Sequence, residues 1–308
     1  MTNILEIKGL NKQYENHKAV DSFSLDIPKA CLFGILGPNG AGKTSLIRMI
    51  TTITRPDSGQ ILFKGYPLKE EDTRLMGYMP EERGLYKKME VAEQLIYLAR
   101  LRGMTKIQAQ SALNEWFDRL GMTEWRKKKV EELSKGMAQK VQFVSTVLHN
   151  PELLILDEPF SGLDPLNANL IKDEIYRLFS EGKTILFSTH RMEQVEEICQ
   201  KIVLINNGKN ILEGEVAEVK NRFKEHVFVL NFANQAVANH AKELANMVTG
   251  WHIINIKGQQ LFIQLTSGGN ITQVLTWIIQ QNLELTGFNE VLPSLNEIFI
   301  KQVELAMA

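Results

Sequence analysis

Apolar residues recur at three different periods along this chain, and each period marks a different kind of element. Between Leu5 and Leu10, and again from Val20 to Ile27, apolar and polar residues alternate, as in strands with one buried face. Cys31 to Leu36 is a continuous apolar run, the pattern of a strand buried on both faces. Short strands are expected at Gln60–Phe63 and Leu75–Met79. From Val91 to Leu148 the period lengthens to that of a helix. Val91, Leu95, Leu98 and Leu101 fall near one face, and so do Leu113, Phe117 and Leu120. Strand-like runs return at Leu153–Leu156, Thr184–Phe187 and Ile202–Ile205, joined by helix-period segments. Strands alternating with helices predict an α/β fold with a mixed, mostly parallel sheet, preceded by antiparallel strands and interrupted by a helical insertion at about 86–150.

The pattern changes after Gly214. Asn221 to Glu225 is charged and reads as a link, so domains are expected at 1–220 and 221–308. The second half predicts strand Val227–Phe232, helix Gln235–Met247, strands Trp251–Lys257 and Leu261–Leu265, helix Ile271–Gln280 and strand Leu283–Phe288. That order is the ferredoxin-like arrangement of a small α+β domain. A last helix follows Pro293, with Ser294 as cap and Glu297 three residues on. Trp251 and Trp277 read as core, and no polar cluster there suggests a ligand pocket, so dimer support is the expected role.

Bulk numbers narrow the classes. The 308 residues suffice for two domains, and 44% apolar with 23% charged residues is ordinary globular composition. A net charge of −1 gives no reason to expect nucleic acid or an anionic membrane. Cys31 and Cys199 form no framework and read as core. No apolar run approaches the ~20 residues of a membrane helix, and Met1 to Lys12 carries charge throughout. If the chain serves transport, another subunit is expected to supply the pathway.

Candidate chemistry centres on Gly37-Pro38-Asn39-Gly40-Ala41-Gly42-Lys43-Thr44. Two glycines four residues apart, then Lys and Thr, lie between an apolar run and a helix-like segment starting at Ser45, the context a phosphate loop requires. Glycines let successive backbone N–H groups turn toward an anion, and the helix N-terminus adds its positive dipole end. Lys43 is expected to reach the β- and γ-phosphates and Thr44 to ligate Mg²⁺. Leu153-Leu154-Ile155-Leu156-Asp157-Glu158-Pro159 is an apolar strand ending in two acids. Asp157 is placed to hold Mg²⁺ and Glu158 to polarise an attacking water. Strand alternation should point the two acids to opposite sides. Ser134 suits an N-cap, Gly136 permits close approach, and Ser161-Gly162-Leu163-Asp164-Pro165 reads as a turn capped by Asp164. His190, at the end of a strand, is a candidate sensor of the γ-phosphate.

The order of these pieces (phosphate loop, LSKGM, LLILDEP, SGLD, STH) resembles the ATP-binding subunits of ABC transporters over roughly Ile4 to Gly214. In that family two cassettes sandwich two ATP molecules head to tail. The resemblance implies that residues 37–44 are Walker A, with Ser45 beginning its helix, and that Asp157 ends Walker B. It makes Glu158 the catalytic base and His190 the switch histidine. It implies that Ser134 and Gly136 contact ATP held by a second ATP-binding subunit, and that Tyr14 stacks on adenine. It also implies a transmembrane permease as partner, a place on the inner face of the cell membrane, and no nucleic acid.

Two departures stand out. Lys135 and Met137 replace a Gly and the Gln of the usual Leu-Ser-Gly-Gly-Gln, and Glu81 sits where the family carries a Gln, facing Mg²⁺ or its water. Pro80-Glu81-Glu82-Arg83-Gly84-Leu85-Tyr86, with Pro293-Ser294-Leu295-Asn296-Glu297-Ile298-Phe299, is similar to the ABC-2 type exporters that include sodium-extrusion systems. An alternative is a soluble ABC ATPase acting on ribosomes or DNA. The missing heptads before the signature, the single cassette and the near-neutral charge argue against it. A small-molecule kinase is a further alternative, but it would not need Ser134 and Gly136 acting across a dimer.

Overall fold

The computed structural model describes residues 2–82, 84–245 and 249–307, and the chain divides into two compact units, Met1–Val216 and Ala217–Ala308. Arg83, Asn246 and Met247, which belong to two of the expected segments, lie outside the described residues.

In the first unit β1 (Asn3–Tyr14) and β2 (His17–Pro28) pair antiparallel, with Leu5 opposite Ile27, Ile7 opposite Leu25 and Leu10 opposite Phe23. A register shift between Ile7 and Leu10 explains why two residues three apart both face the core. The other strands of this unit are β3 (Leu32–Leu36), β4 (Ser58–Phe63), β5 (Tyr66–Pro67), β6 (Met76–Met79), β7 (Leu153–Asp157), β8 (Thr184–Thr189), β9 (Lys201–Asn206) and β10 (Lys209–Glu215). They complete two sheets, β2-β1-β4-β5 and β10-β9-β3-β8-β7-β6. The second is parallel throughout except for β10. Its middle strands β3, β7 and β8 are buried at every position, which is why Leu32–Leu36, Leu153–Leu156 and Ile185–Phe187 read as apolar runs on both faces. Helix α1 (Lys43–Ile50) puts Leu46, Ile47 and Ile50 into a core shared by both sheets, with Leu5, Ile7 and Phe23 from one and Phe33, Ile35 and Val203 from the other.

Three α-helices form most of the insertion: α2 (Val91–Leu101), α3 (Lys106–Leu120) and α4 (Lys135–Val147). The face expected of α2 needs correction. Val91, Gln94, Leu95 and Ala99 are buried, whereas Leu101 is 60% exposed. Ten residues at 3.6 per turn carry Leu101 about 80° round the helix from Val91, off the stripe that meets α3 and α4. Helices α5 (Pro165–Ser180) and α6 (Met192–Ile198) pack on β8, and α7 (Val216–Arg222) follows β10.

The second unit has strands β11 (Val227–Phe232), β12 (Trp251–Lys257), β13 (Gln260–Leu265) and β14 (Leu285–Val291), all antiparallel in the order β12-β13-β11-β14. With α8 (Gln235–Leu244) and α9 (Ile271–Gln280) between them, this is the ferredoxin-like order. Phe228, Leu230, Phe232, Leu261 and Ile263 meet Ala238, Ala241, Val274 and Ile278 in its core. Trp251 belongs to that core, and Trp277 packs against it in a T-shaped pair with centroids 5.3 Å apart. The last strand begins two residues later than expected, because the Leu283 N–H still closes the end of α9 on Ile278 O, 3.1 Å away. Helix α10 (Leu295–Met307) starts with a reciprocal cap. The Glu297 N–H donates to Ser294 Oγ (3.2 Å), and the Ser294 N–H donates to the Glu297 carboxylate (2.7 Å).

Candidate functional site

The loop from β3 to α1 is wedged between strands, and glycine is what makes this possible. Gly37 has φ 156°, and a Cβ there would lie 2.3 Å from Ile205 O. Gly42 has φ 108°, and its Cβ would lie 2.2 Å from Ala19 O. Gly42 also caps α1 without a side chain, and the first turn carries no acid. The first N–H groups of α1 are therefore offered to an external anion. The Lys43 ammonium donates to Gly37 O (2.7 Å) and Pro38 O (3.0 Å). Burial lowers its pKa, and the carboxylates of Asp157, Glu158 and Glu81 oppose that shift.

Asp157 ends β7 and is 4% exposed. Burial, reinforced by Glu81 and Glu158, lifts its pKa to about 6. Glu158 follows with φ 50°, a left-handed backbone unusual for a non-glycine residue. Strand alternation therefore does not set its direction, contrary to expectation, and both acids line the same cleft. The Glu158 N–H donates to Ser188 O at 2.9 Å. Its carboxylate is enclosed by the end of β8. Oε1 accepts the His190 N–H (2.8 Å) and faces His190 Nδ1 (2.6 Å), while Oε2 accepts the Thr189 hydroxyl (3.0 Å). The His190 side chain remains 50% exposed.

These groups line one cleft of about 400 Å³. Residues 39–45, Glu81, Asp157, Glu158 and His190 line it together with Tyr14, His17 and Ala19. Tyr14 stands at the end of the β1–β2 hairpin, opposite His17, 41% exposed, with Lys12 Nζ 5.4 Å from its ring centroid. Gly37 and Pro38 contribute through the carbonyls that hold Lys43.

Ser134 and Gly136 are not among the residues of this cleft. They begin α4, where Ser134 Oγ accepts the Met137 N–H (3.2 Å). A Cβ on Gly136 would stand 3.7 Å from Leu163, so the LSKGM and SGLD segments adjoin within one chain. Lys135 is exposed, with its stem laid over Gly162. Asp164 caps α5 as expected, accepting the Asn167 N–H at 3.0 Å.

Sequence reasoning missed His17 in the cleft and two buried glutamines on α4. Gln139 Nε2 donates to Pro159 O (3.0 Å), beside Glu158, and Gln142 Nε2 donates to Pro80 O (2.6 Å), beside Glu81. Helix α4 thus anchors both acid-bearing loops.

A glycine-cradled helix N-terminus, a lysine across it and two acids at the end of a neighbouring parallel strand define a P-loop nucleotide-hydrolysing cassette. The family profile described as ABC transporter matches residues 20–161, and that of the ATP-binding protein DrrA1-3-like C-terminal domain matches residues 214–303. The chain is 42% identical over 302 residues to YhaQ, an uncharacterized ABC transporter ATP-binding protein of Bacillus subtilis, covering 97% of this chain and 98% of that one. It is 29% identical to the daunorubicin/doxorubicin resistance ATP-binding protein DrrA of Streptomyces peucetius, over 97% of this chain and 92% of that one. A solved structure of the ATP-binding subunit of an ABC transporter superposes with a TM-score of 0.67 at 29% identity, covering 71% of this chain and 93% of that one. The chain belongs to the ABC transporter ATP-binding proteins. It is an ATP-binding, ATP-hydrolysing subunit of an ABC transporter.

Proposed function

We propose that this chain powers export through a separate transmembrane subunit, with ATP bound in the cleft between the phosphate loop and the β7 and β8 ends. The observation that carries the reading is the convergence of residues 39–45, Asp157, Glu158 and His190 on that cleft. Backbone N–H groups of residues 40–45 cradle the phosphates, Lys43 exchanges its loop carbonyls for phosphate oxygens, and Tyr14 stacks on the base. Glu158 takes the proton of the attacking water, and His190, half exposed, turns from Glu158 toward the γ-phosphate.

The donor set suits Mg²⁺. Thr44, Asp157 and Glu81 present hard oxygens to one cleft, and Asp157 is a buried carboxylate whose ionisation a cation would favour. Bound there, Mg²⁺ would neutralise charge on the phosphates.

Ser134 and Gly136, outside the lining of their own chain's cleft, are the residues for a second copy's ATP, so the working unit is a dimer. The transmembrane partner docks in the groove of about 670 Å³ lined by Tyr78, Pro80, Leu85, Leu98, Leu101 and Gln142. No described helix is long and apolar enough to cross a membrane, which fits a permease on another chain. Attachment to it would hold this chain on the inner face of the membrane. The outward direction follows the relatives named for resistance to linearmycin and daunorubicin/doxorubicin.

The test is hydrolysis and binding measured separately. Glu158→Gln keeps ATP affinity and loses about 10²–10⁴ in turnover, whereas Lys43→Ala loses most ATP affinity in nucleotide titration. Wild-type phosphate release by Glu158→Gln contradicts the assigned base, and an unchanged titration of Lys43→Ala contradicts the phosphate contact.

A further inference from the structure

Thr189, the last residue of β8, is fully buried, and a buried hydroxyl is normally partnered. It has two partners. The Arg191 N–H lies 3.1 Å from Thr189 Oγ1, and Glu158 Oε2 lies 3.0 Å from the same oxygen. A backbone N–H can only donate, so the hydroxyl accepts from Arg191. Its single proton is then directed to the Glu158 carboxylate.

The two oxygens of Glu158 are held differently. Oε1 accepts the His190 main-chain N–H (2.8 Å) and faces the His190 ring, which is half exposed and lines the cleft. Oε2 faces a hydroxyl on a fully buried strand residue, with the proton direction already fixed. The main chain of Glu158 is pinned by the same strand through Ser188 O, in a backbone conformation with φ 50° that does not hold itself. We infer that Thr189 is a positioning residue for hydrolysis: its hydroxyl holds Oε2 while the His190 main-chain N–H holds Oε1, so the Glu158 carboxylate stays aimed at the attacking water when the His190 ring swings away. This rests on the reading of Glu158 as the base.

Valine has the shape of threonine without the hydroxyl, and serine keeps the hydroxyl without the methyl. A hydrogen bond to a charged acceptor corresponds to a factor of about 10–100 in rate if it acts only in the reaction step. Thr189→Val in the full-length chain is therefore expected to lower kcat about 10–100-fold with the KM for ATP within about twofold of wild type. Thr189→Ser is expected to restore most of kcat. Wild-type kcat in Thr189→Val overturns the inference. So does a parallel loss of kcat and ATP affinity that serine fails to rescue, since that pattern marks a packing role. Glu158→Gln is assayed alongside to separate the two levels. An inactive Glu158→Gln with a fully active Thr189→Val removes only the role of Thr189. A fully active Glu158→Gln removes the base and the positioning role together.

Discussion

At the scale of single residues, two buried groups pull stability in opposite directions over the same pH range. Asp157 is raised from 3.8 to about 6 by burial, so the folded chain binds more protons than the unfolded chain between those values. Its ionised form weakens the fold above about pH 6, and that cost is relieved as pH falls. His149 is lowered from 6.5 to about 4, chiefly by burial, with its Nε2–H donating to Met76 O (3.0 Å). Here the unfolded chain takes the proton first, so stability is lost as pH falls from 6.5 towards 4. Each full effect is about 3 kcal/mol, so the two largely cancel in the wild type. Single variants expose them. Asp157→Asn should be more stable than wild type at pH 7.5, with the difference shrinking at pH 5. His149→Gln, which keeps a donor for Met76 O, should gain on wild type as the pH is lowered. Urea titrations at the two pH values read both slopes, and parallel curves for all three proteins would refute the opposing linkage. Asp157→Asn should also lose Mg²⁺-dependent hydrolysis, which would make its stability gain a measure of what the site costs the fold.

At the scale of elements, the joint between β3 and α1 leaves no room for a side chain at Gly37 or Gly42. Gly42→Ala would have to carry φ 108° and a Cβ 2.2 Å from Ala19 O. The expected result is a loss of about 2–3 kcal/mol in urea unfolding, together with weaker ATP binding, because the same loop presents the phosphate-binding N–H groups. Unaltered stability and affinity would mean that the loop relaxes freely. The contrast between what was legible in sequence and what was not has a physical basis at this scale. The phosphate loop, β7 and β8 were readable because their signals are local: glycines next to a helix start, an apolar run ending in two acids at β7, and an apolar stretch ending in Ser188-Thr189-His190 at β8. The α4 tethers were not. Gln139 and Gln142 donate to main-chain carbonyls 20 and 62 residues away, and a carbonyl acceptor leaves no mark on residue identity. Helix α2 was readable as a helix, yet its face was misjudged at Leu101, an apolar residue that lines the groove rather than the core. Glu158 escaped the strand rule because its left-handed backbone lies one residue beyond the strand.

At the scale of the whole molecule, the described units divide the work. The second unit has its own core from β11 to α9, and a ferredoxin-like strand order that was visible as alternating short periods in the sequence. The first unit carries the cleft, and it also carries Ser134 and Gly136 at a separate place on the same chain. Because Ser134 and Gly136 lie outside the lining of that cleft, we propose that catalysis uses a pair of copies. Sedimentation of Glu158→Gln at saturating ATP tests this most directly. The protein is expected to double its mass on adding ATP with Mg²⁺, and a second substitution, Ser134→Arg, is expected to return it to a single chain that still binds nucleotide. A Glu158→Gln protein fully loaded with ATP that sediments as one chain at every concentration would contradict catalysis across two copies.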